Sequence, residues 1–165
     1  MRRGQVVVIG AGDCGFVKDA YEIGRYVASR GWVLVSGGRG GVMESASRGA
    51  SEAGGLVVGV LPGDDPNGAN PYCDIVIPTG IGYARNSVNV LSGDVVVALG
   101  GKSGTLSEIA YAWQFGRPLI LCAFSGGWSA RMGDAPVDDR PGEMHVARDI
   151  EEVFAILERT MSRGR

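Results

Sequence analysis

The sequence predicts an α/β chain built on a doubly wound, mostly parallel sheet of about six or seven strands flanked by helices. Three observations predict it. Short runs such as Val6-Val-Val-Ile9 and Val95-Val-Val-Ala-Leu99 are uncharged and β-branched, as strands buried on both faces are. Segments with apolar residues at helical spacing alternate with them. Glycine clusters at Gly10, Gly37 and Gly100 each follow a strand, so a parallel sheet gathers all of them at its carboxyl end, where ligands of such sheets sit.

In chain order, Gln5 to Ile9 reads as the first strand. A helix carrying Tyr21, Ile23, Gly24, Val27 and Ala28 follows and ends at Gly31. Trp32 to Val35 is the second strand. The helix from Val42 to Ala53 is rich in Ala, Ser and Gly, which suits close packing on the sheet or a neighbour. Leu56 to Leu61 is the third strand, and Pro62 to Tyr72 a rim loop of Pro, Gly, Asn and Asp. Asp74 to Pro78 is a short fourth strand, and Tyr83 to Leu91 a helix with Arg85 and Asn86 near its start. Val95 to Leu99 forms the central strand. Beyond it, Leu106, Ile109, Ala110 and Trp113 mark one helix face. Pro118 to Ala123 is a further strand, Phe124 to Gly142 a mobile loop or lid, and Glu143 to Ala147 a last strand. Asp149 caps a final helix that carries Ile150, Val153, Phe154, Ile156 and Leu157 on one face, with Met161 to Arg165 frayed.

The segment Leu99-Gly-Gly-Lys-Ser-Gly-Thr105 joins a strand to a helix through glycines. Glycine lets a ligand approach the backbone closely, and a helix start offers unpaired N–H groups and the positive end of a dipole. Gly100, Gly101, Lys102, Ser103, Gly104 and Thr105 are therefore expected to hold an oxyanion, a phosphate above all. Gly37, Gly38 and Arg39 belong to the second cluster; Arg39 either reaches the ligand or braces its own turn. The first cluster, Gly10-Ala-Gly12-Asp-Cys-Gly15, fits GxGxxG, but the next strand ends in Ser36-Gly37-Gly38 without the acid that a dinucleotide ribose requires. Gly10 and Gly12 are thus read as cleft residues and not as an NAD site. Glu108 lies opposite the apolar stripe of its helix. It either closes a capping box with Thr105 or faces solvent, a partner or a site.

The chain has 165 residues, the length of one domain over residues 1–165, and a net charge of -2. There is no basic block for nucleic acid. Cys14, Cys73 and Cys122 are far apart and His145 is the only histidine, so neither a metal site nor a disulfide framework is expected. No run reaches the length of a membrane span, and the apolar start is broken early by glycine, which makes a cytoplasmic location the expectation.

The segments GGRGGVMESASRGA, GVLPG and TGIGYARNSVNVLSGDVVVALGGKSGTLSEIA, within a stretch from about Val6 to Cys122, resemble the superfamily of the Lonely-guy phosphoribohydrolases. Within it, the chain is most similar to the molybdenum cofactor carrier proteins and related bacterial proteins, some labelled lysine decarboxylases. The GGxxGTxxE pattern is met by Gly100, Gly101, Gly104, Thr105 and Glu108. The resemblance implies a Rossmann-like fold, a homodimer or higher homo-oligomer, and a phosphorylated small-molecule ligand. In the hydrolase branch an arginine and the motif glutamate, matched here by Arg85 and Glu108, split a nucleoside 5′-monophosphate of the cytokinin type into base and ribose 5-phosphate. A carboxylate can steady the oxocarbenium charge of that reaction, and an arginine the phosphate or departing base. Two departures place the chain nearer the carrier branch: Leu99 stands where the hydrolase motif has proline, and GYARNSVN carries less charge. The carrier reading implies no required cofactor of the protein's own, with the pterin phosphate of molybdenum cofactor, or a nucleoside monophosphate, as the bound ligand. The third reading is a structural dimer with a vestigial cleft, in which Arg85 and Glu108 form a salt bridge between helices. The lysine decarboxylase label fits poorly, since neither Lys18 nor Lys102 has the setting of a Schiff base.

Overall fold

The computed structural model describes residues 2–163. Seven strands form one sheet in the order β4-β3-β2-β1-β5-β6-β7, and every neighbouring pair is parallel. The strands are β1 (Gln5–Gly10), β2 (Val33–Ser36), β3 (Val57–Leu61), β4 (Ile75–Pro78), β5 (Val95–Leu99), β6 (Leu119–Cys122) and β7 (Met144–Ala147). The helices are α1 (Lys18–Ser29), α2 (Val42–Glu52), α3 (Arg85–Leu91), α4 (Ser103–Gln114), α5 (Gly127–Arg131) and α6 (Ile150–Arg163). The expected α/β, Rossmann-like, doubly wound architecture is therefore what the chain forms.

Alternation along the strands assigns the two faces. Val6, Val8, Val95 and Val97 pack with α1, α2 and α6, through Ile23, Ala46 and Leu157 among others. Val7, Ile9, Val96 and Ala98 pack with α3 and α4, through Val90 and Ile109. All five residues of β5 are buried, which explains why that stretch is uniformly apolar and not alternating. The small residues of α2 serve its crossing with α1. A Cβ on Gly24 would lie 2.0 Å from the Ala46 carbonyl oxygen, and one on Gly49 would lie 2.0 Å from that of Tyr21.

The chain winds outward from β1 to β4, then returns to place β5 on the other side of β1. The strand order thus reverses between β1 and β5, and a crevice opens at their carboxyl ends. There Gly10 pairs with Leu99, and a Cβ on Gly10 would sit 2.5 Å from the Leu99 carbonyl oxygen.

Three expectations need correction. The segment from Phe124 to Gly142 is not a free loop. Its first part forms a 3-10 turn and α5, made accessible by positive φ at Gly126 and Gly127. Its second part is tied to α4, where Trp113 Nε1 donates to Asp138 at 2.7 Å. The capping box at Thr105 does not form, because α4 starts two residues earlier at Ser103 and has no side-chain cap. Met161 does not fray; it is buried in the core beside Gly4 and α6 continues to Arg163. Residues 164 and 165 lie outside the described residues.

Candidate functional site

An open cleft of about 560 Å³ lies at the β1/β5 switch point. Of the residues singled out in the sequence, Gly10, Gly12, Arg39, Arg85, Lys102, Gly104, Thr105 and Glu108 line it. The loop after β1, the turn after β2 and the start of α4 supply the walls, and α3 supplies the arginine.

Gly37, Gly38, Gly100, Gly101 and Ser103 do not line this cleft; they shape it from behind or beside it. A Cβ on Gly37 would fall 2.3 Å from Arg85 Nη1, so this glycine makes room for the guanidinium. Gly38 has φ of +71° and packs on β3 near Gly59. Gly100 and Gly101 both have positive φ and are held from below by the chain around α5. Ser125 Oγ accepts from the Gly100 amide at 2.8 Å, Ser129 Oγ donates to the Gly100 carbonyl at 2.9 Å, and the Trp128 amide donates to the Gly101 carbonyl at 3.2 Å. A Cβ on Gly101 would also strike the Thr105 side chain. Ser103 opens onto a neighbouring depression with Tyr83, Ser107 and Tyr111.

Arg85 does not pair directly with Glu108. Its Nη1 donates to the carbonyls of Gly37 at 2.8 Å and Val60 at 2.6 Å, at the ends of β2 and β3. Its Nε is buried without a partner among the described residues. Burial lowers the Arg85 pKa; the nearby negative Glu108 opposes this, and Arg39 adds to it. Glu108 accepts instead from Asn89 Nδ2 at 2.8 Å. The Glu108 residue keeps partial solvent access, but its carboxyl end is enclosed, and burial raises its pKa from 4.5 to about 7. The Asn89 bond and the Arg85 charge pull the other way without cancelling it. A pKa of about 7 brings both protonation states of this carboxyl within reach near neutral pH.

Arg39 answers the open question about its turn in two parts. Its backbone is braced by Asn70, whose side-chain amide donates to the Arg39 carbonyl at 3.0 Å while the Asn70 backbone amide donates to Gly38. Its side chain is exposed on the cleft and forms no ion pair among the described residues. Lys102 pairs with Asp13 at 2.5 Å across the mouth, joining the first and third glycine loops.

Sequence reasoning missed Asp13, Met43, Tyr83 and Asn89. Asn89 was findable: it stands four residues after Arg85 in a helix whose neighbours Val88 and Val90 are apolar, so it shares the arginine's face. Nothing local marks Met43 or Asp13, which reach the cleft through tertiary folding.

The fold and cleft define a Rossmann-like α/β protein with a glycine-walled, cation-lined crevice at its switch point. A family model described as the SLOG cluster4 family matches residues 3–154, and the chain belongs to that family. It is similar to the molybdenum cofactor carrier protein MCP of Chlamydomonas reinhardtii, at 36% identity over 98% of this chain and 99% of that one, with a TM-score of 0.85. It is also similar to the molybdenum cofactor binding protein of Rippkaea orientalis, at 38% identity over 96% of this chain and 98% of that one, with a TM-score of 0.82. A cytokinin riboside 5'-monophosphate phosphoribohydrolase of Mycobacterium tuberculosis is 34% identical over 62% of this chain and 59% of its own length. The superfamily resemblance read from the glycine motifs is borne out. Among the described residues no helix is long and apolar enough to cross a membrane.

Proposed function

We propose that the cleft binds a phosphorylated, nucleotide-like ligand, and that this ligand is the pterin phosphate of molybdenum cofactor. The observation that carries the reading is the uncapped start of α4 opening on the cleft at Gly104 and Thr105, with Arg39, Arg85 and Lys102 on the same walls. Unpaired helix-start amides suit a phosphate, and of the three cations Arg39 has no ion pair among the described residues while Lys102 is shared with Asp13. Arg85, which lines the cleft, has a buried Nε with no partner among the described residues, a donor left over for a ligand group. Among the described residues no group of three His, Cys, Asp or Glu converges. Recognition is therefore assigned to the pterin phosphate and not to the metal it carries. The similarity to cofactor carrier and binding proteins over nearly the whole chain supports the same choice.

Glu108 favours a second reading, hydrolysis of a nucleoside 5′-monophosphate. A carboxyl group with a pKa of about 7 can protonate a departing base or, once ionised, stabilise positive charge on the ribose. Incubation with a panel of nucleoside 5′-monophosphates, followed by chromatography for free base, separates the two. No base release, with thermal stabilisation by pterin phosphate, supports the carrier. Base release that vanishes in Glu108→Ala supports the hydrolase.

We take residues 1–165 as one domain that works as a homodimer. Val88 and Leu91 on α3 and Phe115 after α4 are exposed apolar side chains that a second copy would cover. The cysteines are free, which agrees with the cytoplasmic location we assign.

A further inference from the structure

We propose that the protein has a second small-molecule site, for a compact dianion, at the amino-terminal end of the sheet. A cavity of about 280 Å³ lies there, where β1, β5, β6 and β7 begin and where the last turn of α6 closes over them. It is separated from the cleft by the length of the strands, roughly 15–20 Å. At that size it falls just below drug-sized pockets, which run from about 300 to 1,000 Å³, and suits only a compact ligand.

Three arginines from distant parts of the chain meet in this cavity, against two carboxylates. Arg2 pairs with Asp94 at 2.6 Å, and Arg163 with Glu143 at 3.3 Å. Glu143 is shared further, its carboxylate accepting from His145 Nε2 at 2.7 Å. Arg117 forms no ion pair within 4 Å among the described residues, although, against the pull of burial, its charge and that of Arg2 help hold the Asp94 pKa down. Its Nη2 makes one long bond to the Leu91 carbonyl at 3.3 Å, and its Nε is buried without a partner.

Thr160 is the independent observation. It is only 9% exposed, it lines the cavity, and its Oγ1 has no hydrogen-bond partner among the described residues. A hydroxyl inside a helix ordinarily turns back to the carbonyl four residues earlier. Ser162, on the same helix, does so, donating to the Glu158 carbonyl at 2.7 Å. Thr160 does not. Buried polar atoms left without partners call for a ligand, ion or water. Among the described residues, four buried side-chain atoms have no partner: Arg85 Nε on a residue of the cleft, Asn89 Oδ1 behind it, and Arg117 Nε and Thr160 Oγ1 on residues that line this cavity. Three guanidiniums against two carboxylates, with a buried unpartnered hydroxyl on the same wall, favour an oxyanion, either a phosphate group or a paired carboxylate.

The test is a titration of the full chain labelled with ¹³C at the methionine methyl groups. Met161 lines the new cavity and Met43 lines the cleft, so each end of the sheet has its own reporter. Inorganic phosphate is the first probe and malonate the second. The Met161 signal is expected to shift saturably with at least one of them, and which one saturates identifies the anion. Arg117→Gln and Thr160→Val should each weaken that curve about tenfold, the scale of a lost bond to a charged group. Thr105→Val should leave it unchanged. Native Met43 shifts in the variants would show that they fold; were Arg117→Gln not to fold, Thr160→Val alone decides. A Met161 signal that does not saturate with either anion overturns the proposal. So does a curve that Thr160→Val leaves untouched.

Discussion

Asn89 and Glu108, on the adjacent helices α3 and α4, are joined by a single bond in which the Asn89 amide donates to the carboxylate at 2.8 Å. The Asn89 Oδ1 has no partner among the described residues. One amide therefore serves a carboxyl group in either state: its NH₂ meets the ionised form, and its oxygen is free to accept from the protonated form after a flip. This pairing gives the Glu108 carboxyl a partner in both of its protonation states, with a pKa raised to about 7.

The raised pKa of Glu108 fixes a pH dependence of stability. Between pH 4.5 and about 7 the folded protein holds a proton that the unfolded chain has released. Stability attributable to this group therefore falls as pH rises through that window and is level above it. Glu108→Gln removes the penalty. The variant should be more stable than the parent at pH 8, by up to about 3 kcal/mol, and equal to it near pH 4. Urea denaturation at the two pH values checks this.

Two neighbours hold that pKa down, and removing either should raise it. Asn89→Leu deletes the hydrogen bond to the ionised form, and Arg85→Met deletes the nearby positive charge. In each variant the Glu108 carboxyl should titrate above pH 7, read by ¹³C NMR of labelled glutamate. Arg85→Met should also cost about 2–3 kcal/mol of stability, because the Gly37 and Val60 carbonyls lose their charged donor.

Thr105→Val keeps the shape of the α4 start and deletes one hydroxyl on the cleft wall. It should weaken binding of a phosphorylated ligand by roughly 1–2 kcal/mol, as a lost hydrogen bond to a charged group does. Calorimetry checks it; unchanged affinity would remove Thr105 from the site.

Gly24→Ala tests the α1–α2 crossing. The added methyl would meet the Ala46 carbonyl oxygen at 2.0 Å, against backbone that cannot step aside cheaply. A loss of about 3 kcal/mol or more is expected, the upper range of overpacking. It should appear in denaturant midpoints.

The sheet was legible in the sequence because its signals are local. Strands buried on both faces need runs such as Val95-Val-Val-Ala-Leu99, and each of the seven strands lies within one or two residues of its expected ends. The gathering of glycine loops at one end was legible too, since it follows from parallel topology alone. The division of labour among the glycines was not. Gly10 is excluded from carrying a side chain by Leu99 and Val42, and Gly37 by Arg85 and Met43, contacts that only tertiary structure creates. The role of the segment from Phe124 to Gly142 was hidden for the same reason. Its glycines and acids look like loop chemistry, yet Ser125 and Ser129 hold Gly100 in place from 25 and 29 residues away. The second anion cavity left no local pattern at all, because Arg2, Arg117 and Thr160 are far apart in the chain.

The most direct measurement is equilibrium dialysis of the purified protein against molybdenum cofactor, with molybdenum on the protein side read by mass spectrometry. Wild-type protein is expected to retain the cofactor unaltered, saturably, and Thr105→Val and Arg39→Ala to retain less. Equal distribution of molybdenum across the membrane, with nucleoside monophosphates split to free base by the same preparation, would contradict the carrier reading and leave the cleft as that of a hydrolase.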